Sequence, residues 1–210
     1  IASKKVSKFT SNQVQEPTFS ADGTKIGYAF ENNLYVYDLI SGASIQITQD
    51  GKKNHIINGI TDWVYEEEFA FVKAFDWSAD SKKIAFIRFD ESEVPEFSMS
   101  IFQKELYPKV ETFKYPKAGE KNAVVSLHIY DVASQAKKDV NLGNYSDFYI
   151  ARMQWTNDAN VLSAQVLNRH QDNLDLLFID GTTAAAKVVL NEKDKAYIDV
   201  TDNLTFLKDN

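Results

Sequence analysis

The 210-residue sequence contains no cysteine, which excludes disulfides and thiolate metal sites but leaves the compartment open, since an exported protein can also do without them. Glycine is scarce, at eight residues, and proline scarcer, at four, so the chain is neither collagenous nor of a disordered composition. It has no apolar run near the about 20 residues that span a bilayer, and no charged, apolar leader opens at Ile1. No membrane contact by the chain is therefore expected. Positive charge is in deficit: 23 Lys and Arg stand against 30 Asp and Glu, for a net charge of −7. The cations are scattered, so no basic stripe exists to follow a phosphate backbone, and nucleic acid is a poor partner. What is present is core material, with 44% hydrophobic residues and 10 Tyr, 14 Phe and 3 Trp. Such an aromatic load fits pleated sheets better than a helical bundle, so the expected class is all-β.

One pattern is written three times. Phe19-Ser20-Ala21-Asp22-Gly23 before Lys25–Tyr28 returns as Trp77-Ser78-Ala79-Asp80-Ser81 before Lys83–Phe86, and again as Trp155-Thr156-Asn157-Asp158 before Val161–Ser163. In each, an aromatic closes a strand, a hydroxyl and a turn-forming acid reverse the chain, and an alternating strand follows. Each repeat then carries a strand ending in Asp: Leu34–Asp38, Leu127–Asp131 and Leu176–Asp180. This predicts four antiparallel strands per unit, over about 1–50, 70–142 and 148–192. Four-stranded units in tandem are the signature of a β-propeller, whose blades bury their faces on one another. Three units fall short of the about four to eight of a closed propeller, and Leu204–Asn210 resembles the opening of a further unit within 197–210. The chain is accordingly expected to be part of a longer protein.

Spacing locates two insertions. Phe19 precedes Asp38 by 19 positions and Trp155 precedes Asp180 by 25, but Trp77 precedes Asp131 by 54. The excess falls within 90–123, where Tyr107-Pro108-Lys109 is answered by Tyr115-Pro116-Lys117. Proline cannot donate to a ladder, so an extended arm of edge strands is expected. Its apolar residues, Phe97, Met99, Ile101, Phe102, Leu106 and Tyr107, need another surface: a second subunit would supply one, and a loop folded back over its own blade is the competing reading.

The other insertion, 59–69, holds the acidic run. Glu66, Glu67 and Glu68 follow Asp62, Trp63 and Tyr65 directly and precede Phe69, Phe71 and Phe75. Adjacent carboxylates repel and call for a cation. A surface helix start, with acids near the positive end of the dipole, is the competing structural reading. Consecutive helical residues diverge by about 100°, so two of these acids reach one ligand only from a short or distorted turn.

Asp62–Glu68 resembles the Asp-Trp-Val/Leu-Tyr-Glu-Glu-Glu motif of the dipeptidyl peptidase IV branch of the prolyl oligopeptidase-like serine peptidases, and Ile87–Pro95 resembles the start of that family's propeller arm. Tyr107–Lys109 and Tyr115–Gly119 resemble the arm's return. The resemblance covers nearly the whole chain. It implies an eight-bladed propeller that caps an α/β-hydrolase domain and an activity that removes N-terminal dipeptides with Pro or Ala in second place. Carried over by position, Glu67 and Glu68 are implied to grip the substrate's free α-amine, with Asp62, Trp63, Tyr65 and Glu66 as the supporting motif. Val94, Pro95, Phe97, Tyr107, Pro108, Tyr115 and Pro116 are implied to form a dimer arm. A bacterial member at an extracytoplasmic location, periplasmic or associated with the cell surface, without cofactor, is implied as well.

The chain holds no Gly-x-Ser-x-Gly turn for a hydrolase nucleophile. His55, His128 and His170 stand in unrelated contexts and are expected to be structural or surface residues, and no spaced metal-ligand set is present. Two readings of different class follow. One is the substrate-gating portion of a serine dipeptidyl peptidase. The other is a non-catalytic propeller that binds protein partners, including an inactive relative of the same family.

Overall fold

In the computed structural model, which describes residues 7–143 and 145–207, each of the three hairpin turns closes on its own hydroxyl or acid. Strand β1 (Gln15–Phe19) passes to β2 (Lys25–Phe30) through Ser20, whose Oγ donates to Asp22 at 2.6 Å and accepts from the Lys25 amide at 3.0 Å. The same bonds recur at Ser78, with Asp80 at 2.7 Å and the Lys83 amide at 2.9 Å. In the third turn the Thr156 amide donates to the Val161 carbonyl at 3.0 Å. Gly23 and Ser81 occupy the matching left-handed position at φ 68° and 61°. The serine there accepts the Asp22 amide at 2.9 Å and so ties one turn to the next.

The recurrent aspartates have an equally local cause. Asp38, Asp131 and Asp180 each take two or three N–H and hydroxyl donors from the following three residues. Those donors hold the carboxyls below the usual range. In this way β3 (Asn33–Asp38) turns into β4 (Ser44–Gln46), and sheet β1-β2-β3-β4 is complete.

The second sheet departs from the expected unit at 70–142, because it also takes in β5 (Ile56–Asn58). Both β5 and β6 (Phe75–Trp77) pair with one edge of β7 (Lys83–Asp90), at Arg88–Asp90 and Ile84–Phe86 respectively. They are two halves of one interrupted strand, and residues 59–74 leave the sheet between them. The acidic insertion thus lies inside the second unit rather than ahead of it. The two-stranded arm, β8 (Glu96–Ile101) paired with β9 (Lys109–Lys114), follows β7. The sheet resumes with β10 (Val124–Asp131) and β11 (Ala136–Asp139). The third sheet is β12 (Phe148–Trp155), β13 (Val161–Asn168), β14 (Asn173–Asp180) and β15 (Ala186–Lys193) in order.

Strand β7 shows why the units need one another. Ile84 and Phe86 pack toward the first sheet with Leu34, Val36 and Phe75, whereas Ala85, Ile87 and Phe89 pack toward the third with Ile150, Leu162 and Val166. Both faces of the pleat are buried. The leading strands of successive sheets are also stitched together: Trp77 Nε1 donates to the Thr18 carbonyl at 3.2 Å, and Trp155 Nε1 to the Asp76 carbonyl at 3.1 Å. The result is an open array of propeller-like blades, not a closed ring. Of the segment expected to begin a further blade, 202–204 runs beside β12, with Arg152 on Asp202 at 2.6 Å and Gln154 on the Leu204 carbonyl at 3.2 Å. Residues 208–210, like 1–6 of the first unit, lie outside the described residues.

Candidate functional site

The excursion at 59–74 is pinched shut where it leaves the sheet. Ala74 N–H donates to the Gly59 carbonyl at 3.0 Å, and Thr61 N–H to the Val72 carbonyl at 3.0 Å. Gly59 has φ 75°, and a Cβ there would lie 2.9 Å from Leu34 Cδ1, so only glycine suits this exit. At its crest stands α1 (Trp63–Glu68), the one α-helix among the described residues. Asp62 is its N-cap, accepting the Tyr65 amide at 3.0 Å, and Phe69 and Ala70 (φ 57°) end it. Six residues are far too few for a helix to hold by backbone bonds alone, so tertiary contacts fix it.

Tyr65 supplies the deepest of these contacts. Its ring lies edge-on to Phe89 at 4.8 Å and near Phe69 at 5.0 Å, and its Oη accepts the Ile150 amide of β12 at 2.9 Å. Strand β12 leads its sheet, so that amide has no strand partner on its outer side, and Tyr65 satisfies it. Val64 and Phe69 are buried beside Tyr65. Trp63, on another side, packs its ring 4.2 Å from that of Tyr115 at the arm's base.

With those faces anchored, Glu66, Glu67 and Glu68 are left exposed. Among the described residues none of the three enters an ion pair. Glu68 lines a cleft of about 780 Å³ between helix and arm, together with Trp63, Phe97, Tyr115, Pro116 and Arg169. Of the three carboxylates, only that of Glu68 lines this cleft and stands beside its aromatic wall.

The arm residues divide into two groups. Val94 is buried, and Pro95, Tyr115 and Pro116 are half-buried at the base, against this chain's own helix region. Phe97, 40% exposed, contacts Phe113 and Tyr115. The tip is bare: Phe102, Leu106 and Tyr107 are 81%, 89% and 78% exposed, and Pro108 is exposed beside them.

Asp62 is coupled to a second buried acid, Glu91, that the sequence does not single out. Burial pushes the Asp62 carboxyl up to about 6 against the opposing pull of the Tyr65 amide. Burial, with the Asp62 charge adding to it, pushes Glu91 up to about 7, while Lys114 acts the other way. Lys114 itself is nearly enclosed and donates to the Val94 carbonyl at 2.9 Å. Glu91 stands in the run Asp90-Glu91-Ser92-Glu93, where nothing local marks it as the buried member.

For both carboxyls the folded state raises the pKa, so folding favours the protonated form. Their contribution to stability is full below about pH 4 and is lost as pH rises through about 6 to 7. Urea midpoints of the wild type are therefore expected to fall between pH 5 and pH 8. Glu91→Gln should flatten that fall, and an unchanged slope would show that Glu91 does not titrate in this window.

Ser126, His128 and Asp139 form a second polar chain. Ser126 Oγ lies 2.8 Å from His128 Nε2, and His128 Nδ1 lies 2.8 Å from Asp139 Oδ1. The order is that of a hydrolase triad, but Ser126 sits in a flat strand paired with Arg88, and the imidazole lies buried under Phe86 at 5.0 Å. The chain of bonds fastens β11 to β10. Burial lowers the His128 pKa, which keeps the ring neutral.

Residues 1–210 match the family described as the dipeptidyl peptidase IV (DPP IV) N-terminal region. The chain is 35% identical to a probable dipeptidyl-aminopeptidase B of Talaromyces stipitatus, covering 93% of this chain and 24% of that protein. It is 34% identical to dipeptidyl aminopeptidase B of Saccharomyces cerevisiae, covering 95% and 25%. Among solved structures, Porphyromonas gingivalis dipeptidyl peptidase 4 superposes with a TM-score of 0.87 at 40% identity, over 90% of this chain and 27% of that one. A putative dipeptidyl aminopeptidase IV from Bacteroides ovatus gives 0.75 at 26% identity, over 88% and 25%. The chain spans about a quarter of the length of these relatives.

Proposed function

The chain belongs to the dipeptidyl peptidase IV N-terminal-region family, and from that premise we propose that it is the substrate-gating, N-terminus-recognising part of a serine dipeptidyl peptidase. The substrates are peptides with a free N-terminus and Pro or Ala in second place. The reaction itself belongs to a hydrolase domain C-terminal to this region, and the whole protein works outside the cytoplasm.

One observation carries this reading: Glu67 and Glu68 stand exposed and, among the described residues, free of ion pairs on a helix whose other faces are anchored by Asp62, Tyr65 and Trp63. An exopeptidase has to measure from a chain end. An ammonium held by two carboxylates provides that reference, and charge-assisted hydrogen bonds are the strong ones. The full-length protein is expected to release dipeptides from free-amine Xaa-Pro substrates and to act poorly on the same substrates N-acetylated. Equal rates on both would remove the role of the glutamates. No cleavage of either would favour the non-catalytic, partner-binding reading, for which the bare apolar arm tip is the supporting feature.

The same tip supports a homodimer. Phe102, Leu106 and Tyr107 protrude from the loop that joins the two arm strands, and so large an apolar exposure marks an interaction surface. Replacing all three by Ser in the full-length protein is expected to convert the dimer to monomer in light scattering while leaving the arm's base intact. An unchanged mass would exclude the tip as the main contact.

A further inference from the structure

We infer that Tyr115 is a positioning residue for the ammonium site: its ring on Trp63 fixes α1, and through it the carboxylates of Glu67 and Glu68, so that the arm's base and the grip on the substrate are mechanically one unit. The inference rests on the reading of Glu67 and Glu68 given above and adds to it a residue from a different part of the chain.

The geometry has three parts. First, the N-cap bond of Asp62 and the buried ring of Tyr65 hold the helix start and its inner side, but neither touches the side that carries Glu67. Residues four apart share a helix face, so Trp63 lies below Glu67, just as Val64 lies below Glu68. Trp63 is therefore the residue whose position sets where Glu67 points. Second, Trp63 is only half-buried: one side of it packs on the buried core, and the other faces the cleft of about 780 Å³. Empty space does not restrain a side chain. The Tyr115 ring, at 4.2 Å and tilted by 50°, does. Third, Tyr115 is itself held firmly. Its amide donates to the Pro95 carbonyl at 2.9 Å, and its ring meets Phe97 at 5.5 Å and Phe113 at 6.3 Å, one from each arm strand. A continuous row of contacts thus runs from β8 and β9 through Tyr115 and Trp63 to the acidic face of the helix.

The carboxylates must meet an ammonium to within a few tenths of an ångström, and a loosened helix presents them over a range of positions. Substrate binding then weakens while the chemistry, which lies elsewhere, proceeds at its own rate once substrate is seated.

The test uses the full-length protein with Tyr115→Ala, Tyr115→Phe and, as reference, Glu68→Gln, assayed on a free-amine Xaa-Pro substrate and on its N-acetylated form. Tyr115→Ala is expected to raise KM for the free-amine substrate about tenfold with kcat changed less than about twofold, the signature of lost ground-state binding. It should leave kcat/KM for the acetylated substrate unchanged. Tyr115→Phe keeps the ring and should restore the wild-type KM. Wild-type kinetics in Tyr115→Ala, or a parallel loss on both substrates, would overturn the inference. If Glu68→Gln still loses its preference for the free amine, the proposed function survives that failure. If Glu68→Gln keeps the preference too, both fall together. Should Tyr115→Ala fail to fold, Tyr115→Leu, which keeps apolar bulk without the ring, is judged by the same selective rise in KM.

Discussion

Glu67→Gln or Glu68→Gln in the full-length protein is expected to lower kcat/KM for free-amine Xaa-Pro substrates by about 10-fold to 150-fold, corresponding to roughly 1.5–3 kcal/mol for a hydrogen bond to a charged group. Each change keeps the shape of the side chain and removes one charge. Both residues are exposed on α1, so the melting temperature should hardly move. Glu66→Gln is the internal control. It is two positions from Glu68, which on a helix puts the two side chains on diverging faces, and its effect should be the smallest of the three. N-acetylated substrates offer no ammonium, so their slow turnover should be indifferent to all three variants. Wild-type rates in both Glu67→Gln and Glu68→Gln would reduce these acids to helix-surface residues.

Tyr65→Ala is expected to show the largest loss of stability of any change to the motif, about 3–5 kcal/mol, as for other large aromatic truncations in cores. The ring is 2% exposed, and Phe69, Phe71, Phe89 and Tyr149 surround it. Tyr65→Phe separates the two contributions. It keeps the ring but strips the Ile150 amide of its acceptor, and a buried donor left unpaired costs about 1–3 kcal/mol. Denaturant midpoints of the three proteins at fixed pH measure both steps. If Tyr65→Phe matches the wild type, water replaces the hydroxyl at Ile150, and the link between helix and third blade is one of packing only.

The blades were legible because their determinants are local. Ser20 with Asp22, Ser78 with Asp80, and the strand-ending Asp38, Asp131 and Asp180 all bond within five residues of themselves. Their spacing in the sequence is therefore the spacing of the turns. The alternation in Lys83–Asp90 reads as a strand for the same reason. Strand β5 is not legible in the sequence because Ile56-Ile57-Asn58 is too short to show a period, and its place on β7 depends on the chain returning at Phe75 to continue the same edge.

Local sequence order specifies the repeat, the class of fold, the two insertions, and the motif residues Asp62 to Glu68 as the place where carboxylates and aromatics meet. Long-range packing sets the rest: the motif rises out of an interrupted leading strand, Glu91 lies buried near Asp62, and Tyr115 rests on Trp63 rather than out on the arm. The last two bring together residues 29 and 52 positions apart. No turn or periodicity specifies them. They arise when the excursion at 59–74 closes on itself and the arm's base folds back over it, because burying Tyr65, Trp63 and Tyr115 together removes apolar surface from water that no one segment could cover alone.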